Sequence, residues 1–430
     1  MSIFEDLFGE LHSLLHHEQP DAKALWKVMV NMHGLEPARY EEQILDYLIG
    51  FRQRVPTPLH TFESLEHLAN ATTFFDFPVY ALNLESKKIG DEEVKAISAS
   101  LHLANLQALY LDSSSIKNEE MKAIALSTLI NIKKIDNIGN KGAIEIANSL
   151  HLSNLRTLNL EHNEIGKEGA IAIAASSCCD NLQTLNLSCN KIGDEGVKSI
   201  ATSPHLANLP TLELGSIEIG QAGAKAIVAS LHLASIQILD LCNNEIGEEG
   251  AKAIAASPYL THLRTLNLEF NEIGEGGAKA IATSPYLACI QILYLDSNKV
   301  GDEGVKAIAA SPHLANLQVL KLASNEVGDE GAKALAASPY LNNLHTLNLE
   351  YNKVGEEGAK AIAASPYLTH LRTLKFEYNK IGEEGVRAIA ASPYLNNLQV
   401  LSLGHVELER KLETELKINF ESRGVNVFLY

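Results

Sequence analysis

Two side chains have types and a spacing that could support catalysis. His162 and Cys189 lie 27 residues apart, which is the interval at which the chain repeats itself. Both therefore occupy one column and lie about one strand spacing apart. A thiolate beside an imidazole can act as a nucleophile. Two chance neighbours explain the pair more simply, and we predict no catalytic residue and no enzyme.

Acidic loops recur along the chain and superficially resemble calcium-binding segments. Residues 193–196, 301–304 and 328–331 each read Gly-Asp-Glu-Gly. These loops precede predicted helices, and the start of a helix favours carboxylates because of its dipole. We therefore predict no bound metal ion and no cofactor.

One repeated unit positions all of these groups. Its pattern, L-x-x-L-x-L-x-x-N, is clearest at residues 344–352. A fixed period in the twenties with this pattern is typical of a leucine-rich-repeat solenoid. Its first residue recurs every 27 residues without insertion, at Leu155, Leu182, Leu209, Ile236, Leu263, Ile290, Leu317, Leu344, Leu371 and Leu398.

The first half of the unit predicts a short strand. Leu347 and Leu349 alternate with polar residues, which is the period of a strand with one buried face. The two leucines are expected to point inward, and Thr346, Asn348 and Glu350 outward.

The second half of the unit predicts a turn and a helix. Asn352 is expected to turn inward and bond backbone groups, as short amide side chains do at turns. Gly355 and Gly358 are expected to allow the bend that follows. Residues 357–364 then have the apolar spacing of a helix, which ends before Pro366 because the residue before proline avoids helical geometry.

Alternation of strand and helix also predicts curvature. Neighbouring strands lie about 4.7–4.9 Å apart, whereas a helix with its side chains is about 10 Å wide. We therefore predict an α/β fold: a right-handed leucine-rich-repeat solenoid, or horseshoe, with a concave parallel β-sheet and convex helices. A small all-α N-terminal domain is expected to precede it.

The helical half of the repeat, Gly-x-x-x-Ile/Leu-Ala, resembles the ribonuclease-inhibitor-like subclass of leucine-rich repeats. Residues 271–274 followed by 277–282 also resemble the repeats of NOD-like receptors. Near-identical repeats behind a short helical domain are similar to bacterial leucine-rich-repeat effectors, including those of intracellular pathogens. The resemblance covers about residues 79–405 and transfers no catalytic residue.

Three segments are predicted along the chain. Residues 1–77 contain amphipathic helical patterns and form either a helical cap or a separate recruiting or catalytic module. Residues 78–405 contain about 12–13 repeats, of which the unit at 132–154 is short and is expected to make the sheet irregular. Residues 406–430 are expected to form a C-terminal cap from a charged helix and a closing strand.

Acidic and aromatic side chains coincide on the predicted concave face toward the C-terminal half. We predict that they bind a protein partner, with the aromatic groups supplying affinity and the carboxylates steering a basic surface. Lys321 and Lys375 interrupt the acidic field. A solvated sheet face with scattered aromatics is the simpler alternative. The predicted contact residues are Glu269, Phe270, Tyr294, Asp296, Glu350, Tyr351, Glu377 and Tyr378.

Charge and cysteine content limit the other partners. A net charge of −18 argues against nucleic acid and anionic membrane surfaces. No apolar segment has the length of a membrane span, and the first residues lack the pattern of a secretory signal. Five cysteines without paired spacing indicate reduced thiols. We expect a cytoplasmic monomer.

Two functional hypotheses follow from the sequence. The first is a non-enzymatic scaffold that binds a protein partner on the concave face of its repeats. The second is a bacterial effector, secreted without a classical signal peptide into a host cytosol. In that case the helical N-terminal domain would recruit or catalyse, and the repeats would select the target.

Overall fold

A computed structural model describes residues 81–83, 108–110, 139–148, 152, 154–404 and 410–428. The chain divides into two units. One comprises Met1–Asn137 and Asn148–Leu158, and the other comprises Ile138–Ala147 and Asn159–Tyr430. In the first unit, strands β1 (Ala81–Asn83) and β2 (Ala108–Tyr110) pair in parallel, with Leu82 opposite Leu109.

The repeats form the strands at the predicted 27-residue interval. Each strand has three residues, and from β3 to β12, where this interval is exact, the central leucine is buried. The strands are β3 (Thr157–Asn159), β4 (Thr184–Asn186), β5 (Thr211–Glu213), β6 (Ile238–Asp240), β7 (Thr265–Asn267), β8 (Ile292–Tyr294), β9 (Val319–Lys321), β10 (Thr346–Asn348), β11 (Thr373–Lys375), β12 (Val400–Ser402) and β13 (Asn426–Phe428).

Strands β4 to β13 of the second unit pair in parallel and in chain order, so each strand contacts the one from the next repeat. Equivalent positions face each other, as Leu347 faces Leu320 on one side and Leu374 on the other. This register aligns every column of side chains along the sheet. The predicted leucine-rich-repeat solenoid is confirmed.

A helix follows almost every strand and packs against the helix of the next repeat. Each regular helix buries one face of small and branched apolar residues, as Ala359, Ile362 and Ala363 show. The helices are α1 (Gly139–Ala147), α2 (Lys167–Ala174), α3 (Gly193–Ala201), α4 (Gln221–Val228), α5 (Gly247–Ala255), α6 (Gly274–Thr283), α7 (Gly301–Ala309), α8 (Asp329–Ala337), α9 (Glu356–Ala363), α10 (Gly382–Ala390) and α11 (Arg410–Ser422).

Between strand and helix, an inward asparagine ties successive repeats together. The Asn352 Nδ2 donates to the carbonyls of Leu322, Leu349 and Glu350, at 2.8, 3.0 and 3.0 Å. Its Oδ1 accepts from the backbone nitrogens of Asn325 and Val327, both at 3.0 Å. The predicted inward turn is present, and it bonds the backbone of two repeats.

The glycines have a different role from the one that the sequence suggests. Gly358 lies inside α9, where an added Cβ would be 2.7 Å from Val354 Cγ1 and 2.9 Å from Ala332 Cβ of the preceding repeat. Helix-to-helix packing at this distance leaves no room for a side chain. This glycine therefore permits close packing of neighbouring helices rather than a bend.

The first glycine of each unit adopts one of two conformations, and the preceding repeat selects which. Asp302 Oδ1 accepts from the backbone nitrogens of Gly328 and Gly331, at 2.7 and 2.9 Å, and Gly328 has φ −104°. Asn140, Asp194 and Asp329 make equivalent pairs of bonds. In other repeats the residue equivalent to Asp302 is Lys, Gln or Glu. The first glycine of the following repeat then has a φ between 62° and 65°.

The recurring Asp residues of the acidic loops are therefore capping groups. Each one satisfies two backbone donors at the start of the next repeat's helix, which otherwise have no intrahelical partner. The helix-start explanation for these carboxylates is correct, except that the capped helix belongs to the following repeat.

Residues 1–77, the strand half of the short unit at 132–154 and residues 405–409 lie outside the described residues. The C-terminal helix and closing strand appear as α11 and β13. Phe420 of α11 is fully buried.

Candidate interaction surface on the strand face

We use the term strand face for the side of the second unit's sheet that bears the polar residues of strands β4 to β12 and the second and third residues after each strand from β3 to β11. The third residue after each strand defines a left-handed column. Its φ angles lie between 50° and 56°, at His162, Cys189, Ser216, Asn243, Phe270, Ser297, Ser324, Tyr351 and Tyr378. For residues other than glycine this conformation is uncommon, and for bulky ones it is costly.

Three aromatic side chains of the left-handed column are exposed. Phe270 is 57% exposed, Tyr351 54% and Tyr378 42%. The Tyr351 and Tyr378 rings stack, with centroids 4.2 Å apart and planes at 12°. Burial compensates only in part for their backbone conformation, because about half of each residue is in contact with solvent.

A charged network lies beside Phe270. The Lys321 Nζ is 2.9 Å from the Oε1 of Glu269, which follows strand β7 two repeats earlier, and 3.9 Å from the centroid of the Tyr294 ring. Asp296 Oδ1 accepts from the Ala323 nitrogen at 2.6 Å. Burial raises the pKa of Asp296 to about 7, and the Glu269 carboxylate adds to that rise.

A second network accompanies the stacked tyrosines. The Lys375 Nζ is 3.3 Å from Glu350 Oε1. Glu377 accepts a hydrogen bond from the Ser402 hydroxyl. The predicted residues thus form two groups, and the lysines that seemed to interrupt the acidic field are their ion-pair partners.

The middle column of the strand face is less exposed than the sequence suggests. Asn348 alternates with inward leucines and is therefore expected to be exposed, but it is buried. Its side chain folds back onto the backbone, and its Oδ1 accepts from the Glu350 nitrogen at 2.9 Å. Asn186 and Asn267 bond in the same way to Ser188 and Glu269. These side chains stabilise the turn after the strand, and the residues after them carry the accessible groups.

His162 and Cys189 lie close together, and a carboxylate joins them. Glu161 Oε1 is 3.7 Å from His162 Nε2 and 4.0 Å from Cys189 Sγ. One ligand atom from each of the three residues lies within 4.8 Å of the others. The 27-residue spacing predicts that His162 and Cys189 are neighbours. It does not predict that the Glu161 carboxylate lies between them.

A sequence model of the family described as "Leucine Rich repeat" matches residues 151–174, 178–201, 232–255, 259–282, 286–309, 313–336, 340–363 and 367–390. These segments coincide with repeats of the solenoid. These units are therefore leucine-rich repeats, and such repeats are generally protein–protein interaction modules.

Among solved structures, an internalin (inlF) from Listeria monocytogenes str. 4b F2365 is similar at 20% identity. The similarity covers 68% of this chain and 90% of that chain, with a TM-score of 0.32. A similarity of this extent supports no conclusion about function. No curated protein matches the chain. In the described part of the chain, no helix combines the length and apolarity of a membrane span.

Proposed function

We propose that the protein is a non-enzymatic scaffold that binds a partner protein on the concave strand face. The partner contacts Phe270, Tyr351 and Tyr378 with the charged residues around them. The two groups that these residues form lie three repeats apart on one aligned sheet. An extended surface of this kind suits a protein partner rather than a small molecule.

The observation that carries the proposal is the left-handed backbone beneath exposed aromatic rings. A non-glycine residue in this conformation costs about 1–2 kcal/mol, and asparagine adopts it more readily. Asn243 shows that the column accepts this residue. Large rings at such positions, largely in solvent, lower the stability of the free protein. Strained positions of this kind cluster at ligand-binding sites, and aromatic anchors carry a large share of interface energy.

The electrostatics of the strand face favour a partner with a basic surface. The two groups contain four carboxylates, from Glu269, Asp296, Glu350 and Glu377, and two ammonium groups. The three glutamates and two lysines leave one net negative charge, to which Asp296, with a pKa of about 7, adds a partial charge at pH 7, within a chain of −18. Since both lysines are held in ion pairs, the local field is weaker than the count of acidic residues implies. The overall charge steers association, so the association rate should fall as salt rises.

The test uses substitutions that the column itself accepts. The full chain captures a partner from a lysate, the partner is purified, and its Kd is measured for the parent and for Phe270→Asn and Tyr351→Asn/Tyr378→Asn. Each change should weaken binding about tenfold or more, because truncated anchors at an interface centre cost about 2 kcal/mol or more. Tyr340→Asn is the matched control, since Tyr340 is exposed but follows a helix.

A folded triple variant that binds with the parent's Kd would exclude the strand face. Weaker binding by Tyr340→Asn alone would place the partner on the helix side instead. Phe270→Asn should also leave the free protein at least as stable as the parent, which separates lost binding from lost folding.

Two finer assignments accompany this proposal. Each regular repeat pairs a strand with an α-helix of eight to ten residues, which supports the ribonuclease-inhibitor-like subclass. The buried thiols of Cys178 and Cys179 lie 3.7 Å apart and form no disulfide, which supports a reducing compartment such as the cytoplasm. The effector hypothesis for residues 1–77 stays a prediction, because those residues lie outside the described ones.

A further inference from the structure

We propose that Glu161, His162 and Cys189 bind one zinc-class divalent cation on the strand face, with one coordination position left open. These residues come from two adjacent repeats, at the end of the strand face opposite to the aromatic groups. The site is independent of the partner-binding proposal.

The distances between the ligand atoms fit a tetrahedral ion after small side-chain rotations. Zinc bonds of about 2.0–2.3 Å to oxygen, nitrogen and sulfur place neighbouring ligand atoms about 3.3–3.5 Å apart. In the structure, Glu161 Oε1 is 3.7 Å from His162 Nε2 and 4.0 Å from Cys189 Sγ. All three ligand atoms lie within 4.8 Å of one another. An ion would therefore draw Glu161 toward the other two ligands by about half an ångström, and His162 and Cys189 toward each other by at most about 1.3 Å.

A buried asparagine holds the carboxylate. Asn186 Nδ2 donates to Glu161 Oε2 at 3.1 Å, while its own Oδ1 accepts from the Ser188 nitrogen at 2.9 Å. The first bond leaves Oε1 directed to the histidine and the cysteine. Outer partners of this type orient metal ligands, and their loss weakens metal binding about tenfold to a hundredfold.

The backbone presents the other two ligands from equivalent positions. His162 and Cys189 both belong to the left-handed column, with φ 54° and 55°. Adjacent strands then set them side by side, because the left-handed column is aligned along the sheet. The His162 side chain is 55% exposed and that of Glu161 30%, so an ion can enter from solvent and keep a water molecule as its fourth ligand.

The ligand set favours zinc over harder cations. A thiolate and an imidazole with one carboxylate bind zinc and cobalt, whereas calcium and magnesium prefer oxygen ligands alone. On binding, the Cys189 thiol releases its proton to solvent as the sulfur–metal bond forms, and no electrons are transferred. Affinity should therefore fall as the pH is lowered.

Cobalt(II) provides the test, because thiolate ligation gives a near-ultraviolet charge-transfer band and tetrahedral geometry gives intense visible bands. The reduced full chain is titrated with cobalt(II). We expect a stoichiometry of one ion per chain and loss of both spectral features when zinc is added. Cys189→Ser should abolish the charge-transfer band, and His162→Asn should weaken cobalt binding about tenfold or more. Both substitutions place residues that the left-handed column already holds, at Ser216 and Asn243.

Two further thiols serve as controls. Cys289 is exposed, and burial raises the pKa of Cys242 to about 12, with Asp240 contributing. Cys289→Ser and Cys242→Ser should keep the cobalt spectrum of the parent. The proposal is wrong if the parent shows no charge-transfer band, or if Cys189→Ser retains it. Equal cobalt affinity of the parent and His162→Asn would also overturn the three-ligand site.

Discussion

Replacing Asn352 by alanine tests the bonding between repeats most directly. The side chain is 9% exposed and makes five hydrogen bonds to backbone groups of its own and the preceding repeat. Alanine removes all five and leaves the Asn325 and Val327 nitrogens without this acceptor. Both backbone nitrogens are buried, and alanine provides no replacement for the lost oxygen.

The expected cost follows from these two donors. A buried donor left without an acceptor costs about 1–3 kcal/mol, so two of them cost about 2–6 kcal/mol. The carbonyls lose less, because Glu350 O also accepts from the Ser324 nitrogen at 2.9 Å. We expect Asn352→Ala to lower the free energy of unfolding by about 3 kcal/mol or more. Thr346→Ala, on the half-buried strand β10, should stay within about 0.5 kcal/mol.

Urea denaturation followed by far-ultraviolet circular dichroism measures both variants beside the parent. Repeat arrays can unfold in parts, so the slope of each transition is compared as well as its midpoint. If Asn352→Ala and Thr346→Ala unfold at the same midpoint, the assigned hydrogen bonds do not contribute as argued. A variant that changes the slope alone would show loss of cooperativity between repeats.

Three further predictions concern single positions. Gly193→Ala should lower the free energy of unfolding by about 1–2 kcal/mol, because the φ of Gly193 is +63°. Gly220→Ala should be nearly neutral, because the φ of Gly220 is −103°. Equal urea midpoints for the two variants would contradict this. Asp302→Ala should lower the free energy of unfolding by about 1–2 kcal/mol. Asp302→Asn should lower it much less, because Asn140 makes the same capping hydrogen bonds. Equal losses in the two variants would refute the capping role. Asp296→Asn should exceed the parent in stability near pH 8 and match it near pH 4, since a raised carboxyl pKa lowers stability as pH rises. A difference in stability that does not change with pH would show that ionisation of Asp296 is not its cause.

Much of the fold could be predicted from side-chain polarity alone. Leu347 and Leu349 alternate with polar residues, and the interval of 27 residues carries this register along the sheet. Asn352 could be placed because an amide in an apolar row must find backbone partners. Each of these predictions depends on burial, which the sequence expresses through residue type.

The sequence did not predict features that depend on backbone angles or on contacts between side chains of different repeats. Gly193 and Gly220 are identical letters with opposite signs of φ, and the residue that decides between them belongs to the preceding repeat. Lys321 reaches Glu269 across two repeats, which charge spacing within one repeat does not reveal. Glu161 completes a group with His162 and Cys189 only when its rotamer is known.

The left-handed column separates stability from function within one repeat. The position directly after it is asparagine in eight of nine repeats, because that residue is needed for the bonds between repeats. The column itself is asparagine only at Asn243, although asparagine is the non-glycine residue best suited to φ near +55°. Folding therefore does not account for the histidine, cysteine and aromatic residues found there. The proposed contacts of these side chains would account for them, and that proposal predicts that asparagine at these positions raises stability while it removes binding.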